Sequence, residues 1–214
     1  MMDYRLARLN MVESQVRTNK VIDQRLIAAL RELPRERFVP APLVDICYVD
    51  EELPLANGRF LLEPMVLARM VQELRLTGEE RVLDVGCASG YGAALLARLA
   101  GPVTALESDA DLAQQAARAL GDHATVITGP LPAGHSAGAP YDAILVEGAV
   151  ADMPEGLLQQ LADGGRLVAI LRPTPATGVA TVFVRSGTAV SKRGVFDAST
   201  PMLPGFTRTV GFVF

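Results

Sequence analysis

Asp84 lies in a short apolar run, Val82-Leu83-Asp84-Val85, that leads directly into Gly86-Cys87-Ala88-Ser89-Gly90-Tyr91-Gly92. A glycine-rich turn between a strand and a helix lets backbone approach a ligand where a Cβ would obstruct it. The carboxyl end of such a strand is also where open α/β sheets bind small molecules. A second acid, Glu107, ends the next apolar run, and a carboxylate there can accept hydrogen bonds from both hydroxyls of a ribose. The two features together point to a ligand containing adenosine. A dinucleotide fingerprint requires Gly at 86, 88 and 91, where this chain has Gly, Ala and Tyr. No Gly-Lys-Ser/Thr follows, so the phosphate loop of nucleotide hydrolases is absent as well. The pattern that remains, one acid before a glycine turn and one at the end of the next strand, is that of S-adenosylmethionine binders. A strand-to-helix turn that uses glycine for geometry alone is the competing account.

The elements that must position these residues follow from hydrophobic periodicity. Leu6, Leu9, Val12 and Val16 recur at helical spacing, and a second helix runs from Asp23 as N-cap through Leu26, Ile27 and Leu30 to a stop at Pro34. Residues 34–54 read as a proline-punctuated loop. Pro64 opens a third helix whose apolar positions are Leu67, Met70, Val71 and Leu74. Beyond Arg81, strands at 82–85, 103–107, 124–128, 142–147 and 166–171 alternate with helices at 90–99, 111–120 and 154–161. That alternation predicts a doubly wound, mostly parallel sheet. The strands at 179–184, 189–196 and 209–214 follow without helices and predict antiparallel strands closing one sheet edge. Residues 1–62 then form an N-terminal helical and loop cap on the acceptor side, and 63–214 form the α/β body that binds the cofactor, the two making one unit.

Composition narrows the function. The chain has 214 residues, half of them apolar, with a net charge of −4 and only two lysines, Lys20 and Lys192. Nucleic acid is excluded as a ligand because phosphate binding needs clustered cations. No continuous apolar run suits a membrane span or a secretory leader, which predicts a cytoplasmic protein. Cys47 and Cys87 have no partner pair, and His123 and His135 read as solvated loop residues, so no disulfide framework and no metal site is expected.

Several stretches resemble the protein-L-isoaspartate O-methyltransferase family in order and spacing. They are Met11-Val12-Glu13-Ser14-Gln15-Val16-Arg17, Pro34-Arg35-Glu36-Arg37-Phe38-Val39-Pro40, Tyr48-Val49-Asp50, Leu53-Pro54-Leu55 and Glu63-Pro64-Met65-Val66. Further along come Val82-Leu83-Asp84-Val85-Gly86, Ala139-Pro140-Tyr141-Asp142-Ala143-Ile144 and Gly164-Gly165-Arg166-Leu167-Val168. The resemblance implies a class I methyltransferase fold and S-adenosylmethionine as methyl donor. It also implies that the acceptor is a carboxylate of isoaspartyl-containing proteins or peptides, or another small carboxylate. Carried over by position, it implies cofactor contacts from Asp84, Gly86, Cys87, Ala88 and Gly90, from Glu107 and Ser108, and from Pro130 and Leu131. It assigns no catalytic residue. A carboxylate is ionised at pH 7, so its attack on a sulfonium methyl needs positioning and dryness more than a general base or a metal.

Three departures stand out. Ala88 replaces a glycine, which is tolerable only at negative φ. Pro130 stands where the family carries an acid after a glycine, and so offers no side-chain acceptor for adenine. The family's Gly-Gln-Thr-Ile-Ser-Gln-Pro loop reads Gly58-Arg59-Phe60-Leu61-Leu62-Glu63-Pro64, so Leu62 replaces the hydroxyl. Arg59, Leu62 and Glu63 are therefore the candidates on the acceptor side. Arg59 is open to reading as a surface charge or an anion clamp, and Glu63 as a helix N-terminal acid or a pocket carboxylate. These departures keep a second account in play, a paralogue that binds the cofactor but uses another acceptor or serves as a binding module. A nicotinamide-dependent reductase is a third.

Overall fold

The computed structural model describes residues 2–207; the predicted strand at 209–214 lies outside them. The chain begins with α1 (Tyr4–Met11) and α2 (Gln24–Glu32), whose first amides donate to the Asp3 and Asp23 carboxylates. Such caps satisfy amide donors that a helix start otherwise leaves unpaired. The helical register of α1 runs on through a wide turn at Val12–Val16. Residues 34–54 are more ordered than the proline spacing predicts. They form short helical turns at Arg35–Phe38 and Ala41–Ile46, and β1 (Leu53–Pro54) then pairs antiparallel with β2 (Phe60–Leu61). Pro64 opens α3 (Pro64–Leu74) at its first helical position, as expected.

The body then alternates β3 (Val82–Val85), α4 (Tyr91–Leu96), β4 (Val103–Glu107), α5 (Ala110–Leu120), β5 (Thr125–Thr128), β6 (Tyr141–Val150), α6 (Glu155–Leu158) and β7 (Leu161–Leu171). An antiparallel pair, β8 (Gly178–Ser186) and β9 (Ala189–Ala198), completes it. The sheet order is β5-β4-β3-β6-β7-β8-β9, parallel from β5 to β7 and antiparallel beyond. This is the doubly wound, mostly parallel sheet that the strand and helix rhythm predicts, in the class I methyltransferase-like arrangement that the family resemblance implies. The strand order reverses between β3 and β6, and that switch point opens a crevice at their carboxyl ends.

Two predicted bounds shift for a common reason. The helix expected at 154–161 stops at Leu158 because Leu161 pairs with Tyr141 and extends β7 backwards, and β6 runs on to Val150. Period-two alternation splits the core between the sheet faces. Val82 and Ala105 face one apolar cluster, shared with α2, α3 and α4, and Leu83, Val85 and Leu106 face the other, with Leu157, Leu203 and Phe206. Each large aliphatic side chain so buried contributes about 1.5–3 kcal/mol relative to exposure. Among the described residues no helix is long and apolar enough to cross a membrane.

Candidate active site

The turn after β3 is left-handed at three places, with φ of +81° at Gly86, +49° at Ala88 and +94° at Gly90. Ala88 therefore does not take the negative φ that its methyl prefers, a strain of about 1–2 kcal/mol. The conformation aims its amide at Glu107 Oε2, 2.8 Å away. Gly90 serves packing: a Cβ there would lie 3.2 Å from Ala116 and from Leu120 of α5. Cys87 is buried, and burial, followed by the nearby Asp84 carboxyl, raises its thiol well above the ordinary range. Ser89 ties the turn to the N-terminal segment through Oγ, which donates to Phe38 O at 2.6 Å.

Register brings Glu107 to the turn. Val85 pairs with Leu106, so Glu107 lies one step further on, beside Gly86. Its carboxylate is fully buried and already satisfied. It accepts from Ala88 N, from Ser108 N at 2.7 Å, from Ser108 Oγ at 3.1 Å and from Asp109 N at 3.1 Å. Arg59 adds Nη2 at 3.0 Å and Nε at 3.2 Å to Oε2. Arg59 is thus no surface charge. It is 3% exposed, and its Nη2 also donates to Gly86 O at 2.6 Å. A Cβ on Gly86 would lie 2.9 Å from that same nitrogen, 3.2 Å from Leu203 Cδ2 and 3.6 Å from Leu131 Cδ1.

A second acidic pair lies beneath the turn. Asp84 near the end of β3 and Glu147 within the neighbouring strand β6, one step past the pairing of Val85 with Val146, are both buried. Neither Asp84 oxygen has a hydrogen-bond partner of ordinary geometry, nor has Glu147 Oε1, yet the two carboxyls interact closely. Burial raises both, and like charge adds to it. Asp84 rises to about 7 and Glu147 well above its ordinary value, and their mutual interaction makes Glu147 the weaker acid of the pair. Gly92 makes room for it, since a Cβ there would meet Glu147 Oε1 at 1.9 Å.

On the acceptor side, Leu62 is 1% exposed and belongs to the main apolar cluster. Its carbonyl accepts from Arg35 Nη2 at 2.7 Å. Replacing it with serine would hollow out the core, not simply restore a hydroxyl to a surface. Glu63 sits at the N-cap position of α3 but makes no capping hydrogen bond with its side chain. Burial, then Asp50, Glu52 and Glu51, raise its carboxyl to about 7. The segment after β9 crosses the end of β6: Ala149 N donates to Pro201 O, Leu203 N to Ala149 O, and Ala151 N to Phe206 O. Leu203 thereby lies over Gly148, where a Cβ would come within 2.6 Å of its Cγ. Between this strap and Arg59 the free space is about 10 Å³. A larger concavity, about 750 Å³, lies away from the turn, between the Arg35–Phe38 turn and helices α4 and α5.

Pro130 is exposed and Leu131 is buried beside Gly86, while Ser108 is exposed at the tip of β4. His123 is exposed, and no cluster of three metal-ligating side chains occurs among the described residues. Two residues escaped the sequence reading. Glu147 has a visible signal, an acid within the apolar run of β6 and just before Gly148. Arg35 is fully buried, bridging Cys47 O and Leu62 O, and only its place in the 34–40 motif hints at that.

Comparison with known proteins adds an independent line. A profile of the protein-L-isoaspartate(D-aspartate) O-methyltransferase family matches residues 7–193. A protein-L-isoaspartate O-methyltransferase of Methanoculleus marisnigri is 39% identical over 187 residues, 86% of this chain and 85% of that protein. Protein-L-isoaspartate O-methyltransferase 1 of Rhodopseudomonas palustris is 42% identical over 165 residues, 75% of this chain and 67% of its own. Among solved structures, a protein-L-isoaspartate O-methyltransferase superposes with a TM-score of 0.82 at 23% identity, covering 94% of this chain and 67% of that one. A candidate enzyme of the same name from Plasmodium falciparum, in complex with S-adenosyl-L-homocysteine, gives a TM-score of 0.78 at 18% identity, covering 95% and 99%.

Proposed function

The chain belongs to the protein-L-isoaspartate(D-aspartate) O-methyltransferase family, and from that membership we infer that it methylates a carboxylate of isoaspartyl residues in proteins or peptides, with S-adenosylmethionine as methyl donor. The donor set fits such a cofactor. Asp84, buried without a hydrogen-bond partner of ordinary geometry, forms with its neighbour Glu147 an acidic floor suited to the cationic methionine end. Glu107 stands where a ribose diol would be read. The space fits only once Arg59 and Leu203 move off the turn, since ligand pockets typically need about 300–1,000 Å³.

When bound, S-adenosylmethionine supplies an electrophilic methyl on a sulfonium sulfur. The chain's part is to hold the acceptor in line and keep water out, because the nucleophile is already an anion at neutral pH. Residues 1–62 supply the acceptor side and 63–214 the cofactor side. Pro130 leaves adenine to apolar contact with Leu131 and to backbone groups. Two buried, unpaired cysteines suit a reducing, cytoplasmic setting.

The observation that carries this reading is the family match across residues 7–193, joined to an acid at each strand end around the turn. The test is methyl transfer from labelled S-adenosylmethionine to an isoaspartyl peptide, with its normal aspartyl isomer as control. A base-labile methyl ester on the isoaspartyl peptide alone is expected. No transfer, together with no calorimetric binding of S-adenosylhomocysteine, would overturn the reading.

A further inference from the structure

We propose that Arg59 serves two anions in turn: Glu107 while the crevice is closed, and the acceptor carboxylate once the cofactor ribose has claimed Glu107. The proposal rests on the methyltransferase reading and adds an acceptor-binding residue to it.

The argument starts from saturation. A carboxylate offers about four lone-pair sites, and Glu107 already takes donors from Ala88 N, Ser108 N, Ser108 Oγ, Asp109 N and two Arg59 nitrogens. A ribose diol cannot simply be added to that set. The backbone donors are fixed by the turn and by the start of α5. The guanidinium is not, because it hangs from the short connection between β1 and β2. That connection has its tip at Asn57 (φ +53°) and Gly58 (φ +71°), and the ladder beneath it pairs only Leu53 with Leu61 and Pro54 with Phe60. Apart from Arg59, its polar tie to the body is the hydrogen bond from Asn57 to Asp109. The guanidinium also rests on Gly86, on the face of the turn that a ligand must approach.

A displaced guanidinium needs another anion, because an unpaired charge in a dry site is costly. The cavity beside it is lined by Phe60, Leu62, Gly148, Met202 and Leu203, with Glu147 its one acid among the described residues, and Glu147 is engaged with the buried Asp84. Among the described residues no other carboxylate lines that cavity to receive Arg59. The reaction brings one, the acceptor carboxylate. Leu62, buried in the core, offers it no side-chain donor, whereas Arg59 offers several on a planar fork suited to carboxylates. One consequence is order: the cofactor must bind before the acceptor finds its partner.

The experiment compares wild type, Arg59→Gln and Arg59→Lys by calorimetry with S-adenosylhomocysteine and by steady-state methylation of an isoaspartyl peptide. Thermal melts without ligand confirm that each variant is folded. Arg59→Gln should bind S-adenosylhomocysteine about tenfold tighter, because no ion pair has to open. Its KM for the peptide should rise at least tenfold while kcat falls less. Arg59→Lys should move both quantities in the same directions by smaller factors, and it carries the test if Arg59→Gln fails to fold. In wild type, the peptide should bind only when S-adenosylhomocysteine is present. Weaker S-adenosylhomocysteine binding in the variants, or an unchanged peptide KM, overturns the proposal and leaves the methyltransferase reading intact. If wild type and variants all fail to bind S-adenosylhomocysteine and to transfer methyl, that reading falls, and the proposal with it.

Discussion

Replacing Glu107 with alanine should unbalance the fold before it reports on any ligand. The substitution strands the Arg59 guanidinium, 3% exposed, with Gly86 O as its remaining partner. Removing one member of a buried ion pair costs about 3–5 kcal/mol. The Ala88 amide, also buried, loses its acceptor, which adds about 1–3 kcal/mol, whereas the Ser108 and Asp109 amides lie nearer the surface and can turn to water. At about 2–4 °C per kcal/mol for a chain of this size, the melting temperature should fall by at least about 8 °C. The double change Arg59→Ala with Glu107→Ala removes the stranded charge but not the orphaned amide, so it should recover about 3 kcal/mol relative to the sum of the single changes. Calorimetric melts of the four proteins at pH 7 without ligand complete the cycle. A coupling below about 1 kcal/mol would refute the reasoning, because it would mean that Arg59 is solvated and the crevice stands open in solution.

Glu63→Gln should alter the pH profile of stability. The Glu63 carboxyl is raised from 4.5 to about 7, so its contribution is fully present below pH 4.5 and is lost as pH rises through about 7. Melts from pH 4 to 8 should show wild type falling relative to the variant across that window, and parallel profiles would contradict it. Ala88→Gly, at a φ of +49°, trades left-handed strain for chain entropy and should raise the melting temperature by about 1–4 °C; a decrease would count against the strained turn. Gly148→Ala drives a methyl into Leu203, whose Cγ would stand 2.6 Å away, and should cost about 1–3 kcal/mol. Adding Leu203→Ala should relieve part of that loss, and failure of the rescue in denaturant titrations would mean that the strap does not cover Gly148.

Much of the frame was legible because its signals are local. Strands β3 and β4 are apolar runs bounded by Gly, Pro and charge, and the structure places them at the predicted residues. Asp23 caps α2 and Pro64 opens α3, both from short-range backbone chemistry. The backward extension of β7 was hidden because Asp163-Gly164-Gly165 has the composition of a turn, which the pairing of Leu161 with Tyr141 overrides, and β6 runs on to Val150 because Ala149 and Val150 pair with Ile170 and Leu171. The same limit explains the site. Parallel register carries Glu107 to Gly86 once β3 and β4 are neighbours, so an acid at a strand end can be recognised from spacing alone. No comparable rule connects Arg59 to Glu107, which lies 48 residues away on a different kind of element. The sequence shows a charge in a loop, and charged loop residues are mostly solvated. What fills a crevice between strands depends on which loop folds over it. Arg59 and Leu62, which the sequence shows as a loop charge and a missing hydroxyl, converge with the unread Glu147 on one cleft, a buried cation, a closed core and a buried acid around the same glycine turn.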